Sequence, residues 1–168
     1  MVAKESGNEH GWRLMYVFLY SGARCAEILT ITRKEIDTEN WTMAVLNNKT
    51  YEKEARLIGI HPEIREHVAW FLENGHGKSK IKLNSIEPRK PFRICSEATA
   101  SKWAHDWFRK ADISSMKLHS LRHIYATWAV EKNVNIRHLQ ESLGHSTVRV
   151  TENFYIHGTK GGGRIIEI

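Results

Sequence analysis

Apolar residues recur at helical spacing along most of this chain, and the periodicity favours a mainly α-helical fold. In the first such segment, Trp12, Met15, Tyr16 and Leu19 lie on one helical face, and Gly22 follows the end of the segment. Comparable helical patterns follow over residues 23–30, 62–72, 97–111, 119–132, 135–143 and 146–157. A succession of short amphipathic helices is typical of a packed helical domain.

Strand patterns occur in one part of the chain. Residues 41–46 and 56–60 are rich in apolar residues, and the polar stretch 47–55 joins them, which predicts an antiparallel hairpin. Residues 74–93 have no clear periodicity and are predicted to form a basic loop. Within the helix over 97–111, Trp103 and Trp107 are four residues apart, a spacing that predicts stacked core aromatics.

Length and charge exclude several classes of protein. A chain of 168 residues favours one compact domain, and no window has the roughly 20 apolar residues that a membrane span needs. Cys25 and Cys95 form no CxxC pair, so we expect a reducing, cytoplasmic compartment. Lys and Arg number 25 against 19 Asp and Glu, a formal charge of +6 that favours a polyanionic partner. The predicted loop over residues 74–93 is either a solvated linker or a DNA contact. Its one acidic residue is Glu87, and its basic residues are Lys78, Lys80, Lys82, Arg89, Lys90 and Arg93.

Three short motifs contain residues suited to chemistry on a phosphate, although each has a simpler interpretation alone. Arg24 opens a predicted helix, where it could pair with Glu27 on the surface. His119 and Arg122 share a helical face; His119 and His123 could instead bind zinc. The third motif is Leu143-Gly144-His145, with Tyr155 ten residues after the histidine; either residue could equally be a structural side chain.

Taken in order, these motifs resemble the catalytic domain of the tyrosine recombinase (phage integrase) family. That domain has A-R-x-x-E near its start, a lysine in a β-hairpin, then H-x-x-R, L-G-H and T-x-N-x-Y-x-H. The corresponding segments here begin at Ala23, Lys49, His119, Leu143 and Thr151, and the match spans residues 11–157. The resemblance implies a mainly α (α+β) fold with a small antiparallel sheet, a catalytic domain over residues 1–157, and a C-terminal tail over 158–168.

The resemblance also implies a site and a reaction. The implied catalytic residues are Arg24, Lys49, His119, Arg122, His145 and the nucleophile Tyr155. Two arginines suit the charged non-bridging oxygens of the transition state, because guanidinium groups bind bidentately and stay protonated. His119 would accept the phenol proton, Lys49 would protonate the leaving 5′ oxygen, and His145 would donate a hydrogen bond to the phosphate. Neither a metal nor another cofactor is expected, and the partner would be double-stranded DNA bound by a homo-oligomer, a tetramer in the synaptic complex.

Several choices remain open within this interpretation. A nine-residue spacing would put Phe154 in place of Tyr155, and Lys53 is the alternative to Lys49. The family's N-terminal DNA-binding domain is not found in this sequence, so DNA binding is expected to be weak and strongly salt-dependent. The tail holds Ile165, Ile166 and Ile168, which we expect to dock on a neighbouring subunit. The competing functions are a catalytically idle DNA-binding or regulatory domain and a type IB topoisomerase-like relaxation of DNA. The expected location is the cytoplasm, in association with the nucleoid, for a protein of prokaryotic or viral origin.

Overall fold

Seven α-helices and a three-stranded antiparallel sheet form the part of the chain that the structure describes. This computed structural model describes residues 2–46, 55–75 and 90–145. The helices are α1 (Val2–Glu5), α2 (Glu9–Ser21), α3 (Cys25–Thr30), α4 (Pro62–Asn74), α5 (Glu97–Lys110), α6 (Ser120–Glu131) and α7 (Ile136–Leu143). The strands are β1 (Ile36–Asp37), β2 (Thr42–Leu46) and β3 (Ala55–Gly59), and a 3₁₀ turn over Arg33–Glu35 precedes them. The predicted fold class, mainly α with a small antiparallel sheet, is confirmed.

Helix α2 begins earlier than the apolar pattern predicts. The side chain of Asn8 accepts a hydrogen bond from the backbone N–H of Gly11 at 3.0 Å, so the helix starts at Glu9 rather than near Trp12. The helix ends at Gly22, whose φ of 61° is left-handed and favours glycine. A polar cap outside the apolar stretch therefore sets the start of α2.

The face of α2 singled out by the sequence is not the one that packs deepest. Of that face, Met15 is buried, and its other members are half-buried: Trp12, Tyr16 and Leu19. The deepest positions lie beside it on the helix: Leu14, Val17 and Phe18. Because α2 is apolar on nearly all sides, periodicity alone could not tell which face meets the core.

The sheet follows the predicted hairpin and adds one strand. β2 pairs antiparallel with β3, with Met43 opposite Ile58, and both side chains are buried. β1 pairs antiparallel with the other edge of β2. The sequence did not predict β1, because two residues are too few to show a period. Successive side chains of β3 point to opposite faces of the sheet, so Arg56 and Ile58, two residues apart, lie on the same face.

Polar caps set the starts of the later helices. The Ser96 side chain accepts from the backbone N–H of Thr99 at 3.1 Å and begins α5. Asn135 caps α7 in the same way. The rings of Trp103 and Trp107 stack with their centroids 6.4 Å apart, and Trp107 is buried, as predicted.

Two groups of buried apolar side chains form the interior. The larger group joins α2–α5, the sheet and the start of α6. The smaller lies between α6 and α7 and contains Ala126, Val130, Leu139 and Leu143. None of the helices in the described ranges is long and apolar enough to cross a membrane. Those predicted catalytic residues that lie in the described ranges are found near the boundary between the two groups.

Candidate active site

The turn between α2 and α3 presents Arg24 at the edge of the core. Gly22 is needed in this turn, because its φ is left-handed and a β-carbon there would overlap the Tyr125 ring. Arg24 occupies the N-cap position of α3 in an extended conformation, and its backbone N–H donates to Oε2 of Glu27 at 2.7 Å. The Arg24 side chain is 31% exposed, so this guanidinium can be reached from solvent.

Glu27 is a buried carboxylate that accepts from two arginines. Arg24 Nη1 donates to Oε1 at 2.9 Å, and Arg56 donates through Nη1 to Oε1 and through Nη2 to Oε2, at 3.0 and 2.7 Å. Burial alone would raise the pKa of Glu27, but the hydrogen bonds from Arg56 and Arg24 outweigh it and hold the pKa below its ordinary value. The Arg24–Glu27 pair considered from the sequence is therefore present, but Glu27 is 4% exposed rather than on the surface.

Arg56 is a site residue that the sequence analysis did not identify. It lies on β3, and its inward direction follows from the register that places Ile58 in the core. The signal in the sequence is an arginine two residues before a core isoleucine on a short strand. Reading that signal needs the strand register, which the sequence did not fix.

Arg122 lies at the centre of the site and donates hydrogen bonds to two separate segments of the chain. It is 4% exposed; Nη1 donates to the carbonyl of Gly22 at 2.8 Å and Nη2 to the carbonyl of Leu143 at 2.5 Å. Burial, followed by the nearby Arg24 charge, lowers the pKa of Arg122 to about 10, so it stays protonated at neutral pH. Arg122 thereby connects the turn after α2 to the end of α7.

His119 lies immediately before α6, at its N-cap position, one turn from Arg122. Burial, then the charges of His123, Arg122 and Arg24, lower the pKa of His119, which favours a neutral imidazole near pH 7. The His119 and His123 rings meet edge to face with centroids 4.8 Å apart. His119 and His123 have no third ligand for zinc in the described ranges, which contain no group of three or more His, Cys, Asp or Glu side chains suited to a metal ion.

His145 follows the end of α7, where the chain turns sharply. Gly144 has a φ of 64°, its N–H donates to the carbonyl of Glu141, and the N–H of His145 donates to the carbonyl of Gln140, which together form a Schellman motif. Burial is the largest cause that lowers the pKa of His145, to about 4, and the surrounding arginines, Arg122 first, add to it. His145 is therefore neutral at pH 7.

A cavity of about 520 Å³ opens beside these residues. Its wall includes Arg24, His119 and Arg122, and it extends to Lys117 and to His105 of α5. Three of the predicted residues therefore line one cavity, and His145 lies close enough to Arg122, Arg24 and His119 for their charges to act on its pKa. A cationic cavity beside neutral imidazoles is suited to an anionic phosphate ester.

The remaining predicted residues fall mostly outside the described part. Lys49 and its alternative Lys53 lie within 47–54, and Tyr155 and its alternative Phe154 lie within 146–168. Of the predicted DNA contacts, Lys90 and Arg93 lie in the segment before α5, with Arg93 exposed, and between them Phe92 is fully buried. The other four lie within 76–89: Lys78, Lys80, Lys82 and Arg89.

Comparison with known proteins gives a consistent picture. The model of the phage integrase family matches residues 3–161. The chain is 27% identical over 143 residues to tyrosine recombinase XerA of Thermococcus kodakarensis, covering 83% of this chain and 49% of that protein. It is 28% identical over 145 residues to tyrosine recombinase XerC of Vibrio atlanticus, covering 86% and 46%. The chain thus spans about half the length of the curated relatives it matches.

Solved structures share the fold. The Tn1549 transposon integrase in complex with transposon right end DNA superposes with a TM-score of 0.71 at 19% identity, covering 89% of this chain and 55% of that one. At this identity the likeness concerns the fold: a helical domain with a small antiparallel sheet.

Proposed function

The chain belongs to the phage integrase family, and we propose that it acts as the catalytic domain of a site-specific tyrosine recombinase. In this reaction, the Tyr155 oxygen attacks a DNA phosphate, a 3′-phosphotyrosine bond forms, and the 5′ oxygen leaves as a hydroxyl. A 5′ hydroxyl from a partner strand then attacks the phosphotyrosine, which rejoins the DNA and frees Tyr155. Because the phosphotyrosine conserves the bond energy, no ATP is needed.

The convergence of Arg24, Arg122 and His119 on one cavity, with His145 close to the two arginines, is the observation that supports this proposal. Among its contacts in the described ranges, the Arg24 side chain makes two hydrogen bonds, to Glu27 and to the Gly144 carbonyl, out of five possible N–H donors. The remaining donors suit the non-bridging oxygens, whose negative charge increases in the transition state. Losing one such preorganised donor typically costs about 3–4 kcal/mol of activation free energy.

The protonation states of the two histidines suit the roles proposed for them. A tyrosine with a pKa near 10 is about one-thousandth ionised at pH 7, so its attack needs a proton acceptor. His119 has a lowered pKa and can take that proton as a neutral imidazole. His145, also neutral, donates an N–H to the phosphate, and Lys49 protonates the leaving 5′ oxygen.

The proposed assembly acts on double-stranded DNA in the cytoplasm. We assign the catalytic domain to residues 1–157, the phosphate contacts to the basic segment that includes Lys90 and Arg93, and subunit docking to residues 158–168. Four copies on two DNA sites would exchange strands, without a metal ion.

Covalent trapping on a nicked suicide DNA substrate tests this function. The wild-type protein is expected to form a denaturation-resistant DNA adduct, and Tyr155→Phe is expected to form none. Tyr16→Phe, a hydroxyl deletion on α2, is the matched control and should form the adduct at the wild-type rate.

Each other outcome points to a specific error. An adduct that survives in Tyr155→Phe means that another residue attacks. No adduct from the wild type, on DNA that it binds, favours the catalytically idle DNA-binding domain. Relaxation of supercoiled plasmid without exchange between two sites favours the topoisomerase-like activity.

A further inference from the structure

Arg56 uses its guanidinium to join three segments of the chain. From β3, Nε donates to the carbonyl of Ser142 at 3.0 Å, and the two Nη groups donate to separate oxygens of Glu27. The side chain is 15% exposed, so it is largely withdrawn from solvent. A planar fork with one donor to α7 and two to α3 has little rotational freedom.

The same guanidinium lies against Gly144. A β-carbon at Gly144 would come within 2.9 Å of both Cζ and Nη1 of Arg56. The glycine thus allows a close approach that any other residue would obstruct. The next residue in the chain is His145, so Arg56 supports the turn that carries this histidine close to Arg122 and Arg24.

Arg24 is connected to the same arrangement. It shares Oε1 of Glu27 with Arg56, and its Nη2 donates to the carbonyl of Gly144 at 3.3 Å. Glu27 and Gly144 are therefore each held from two sides. Moving Arg56 would release both the carboxylate that orients Arg24 and the turn that orients His145.

We propose that Arg56 is a positioning residue for phosphoryl transfer, which sets the places of Arg24 and His145 without itself contacting the phosphate. The inference rests on the proposed function, because it concerns the geometry of that reaction. It also explains why an arginine occurs at an inward strand position: lysine has the charge but lacks the fork that spans Glu27 and Ser142.

The first test compares Arg56→Gln and Arg56→Lys in single-turnover adduct formation at saturating protein. We expect Arg56→Gln to slow adduct formation about 10²-fold, a loss that a misplacement of about 1 Å can cause. Its DNA Kd should stay within about twofold of wild type. Arg56→Lys should remain closer to Arg56→Gln than to wild type. Arg65→Gln, a half-buried arginine whose Nε donates to the Ile60 carbonyl, is the matched control and should react normally.

A second test needs no cleavage and separates this inference from the proposed function. His145 in free protein is titrated by NMR with ¹³C-labelled histidine, and His145→Gln assigns its signal. The pKa of His145, about 4 in the wild type, should rise toward 6.5 in Arg56→Gln and also in Arg56→Lys, which keeps the charge, since releasing the turn to solvent reduces the burial that is the largest cause of the lowered pKa. If Arg56→Gln does not fold, Arg56→Lys, which keeps a cation beside Glu27 but loses the fork, replaces it in both tests.

The outcomes are distinct. If wild type forms no adduct, the proposed function fails, and the His145 titration alone decides the role of Arg56. An unchanged His145 pKa, a wild-type adduct rate in Arg56→Gln, or full rescue by Arg56→Lys would each overturn the positioning role.

Discussion

Glu27 is the residue whose loss should affect stability most directly. Its buried carboxylate balances the positive charge of two guanidinium groups. An amide at that position would point its N–H₂ group at arginine donors. We expect Glu27→Gln to lower the free energy of unfolding by about 3 kcal/mol, the low end for breaking a buried pair, because Arg24 is partly exposed. Urea denaturation monitored by circular dichroism measures this change.

A second glutamate provides the control for that substitution. Glu66 pairs with Arg13 at 3.5 Å, but its side chain is 82% exposed. Glu66→Gln should therefore cost less than about 1 kcal/mol. Equal losses in the two variants would contradict the assignment of Glu27 as the buried centre of the arginine cluster.

His145 makes stability depend on pH in a specific direction. Its pKa is lowered from 6.5 to about 4 in the folded protein, so on acidification the unfolded chain takes up the proton first. Stability should fall as pH decreases from about 6.5 to 4 and should stop falling from this cause below that. The denaturation midpoint of His145→Gln should change less between pH 7 and pH 5 than that of wild type. Exposed His138→Gln, also on α7, should follow the wild type.

At the scale of elements, the end of α7 depends on glycine. Gly144→Ala combines a left-handed φ of 64° with a β-carbon against the Arg56 guanidinium. We expect a loss of about 1–2 kcal/mol from the backbone alone, together with slower adduct formation. Gly59→Ala on β3 is the matched control, since a β-carbon there would meet nothing within 4 Å, and its stability should change little. A wild-type adduct rate in Gly144→Ala would show that the turn does not set the position of His145.

The elements also show what the sequence could and could not predict. The grouping of His119 with Arg122 was predictable, because a spacing of three residues on one helix fixes it. The hairpin strands and helices α4 to α7 were predictable from their sequence patterns. Arg56 was missed because its inward direction depends on strand register, and β1 was missed because it is too short. The most deeply buried face of α2 could not be told from its period, because nearly every side of that helix is apolar.

At the scale of the whole molecule, the site lies where the two groups of buried apolar side chains meet. Arg122 donates to Gly22, which ends α2 in the larger group, and to Leu143 in the smaller group between α6 and α7. Arg56 adds a second connection, from the sheet to α7. These contacts are polar and directional, so they fix the relative positions of helices that apolar packing alone would hold less specifically. The arginine cluster of the candidate site is thus also part of what holds the α6–α7 unit in place.

The chain as a whole has a formal charge of +6, and its distribution determines how the protein should bind DNA. Each phosphate contact contributes about −0.9 to the slope of log affinity against log salt concentration. If Lys90 and Arg93 contact phosphates, the variant Lys90→Gln/Arg93→Gln should make the slope less steep by nearly two. Lys110→Gln/Lys132→Gln removes the same charge from exposed helix ends and should leave the slope nearly unchanged. Fluorescence anisotropy between about 50 and 200 mM salt measures both slopes; equal slopes in the two variants would mean that overall charge, rather than this segment, attracts the DNA.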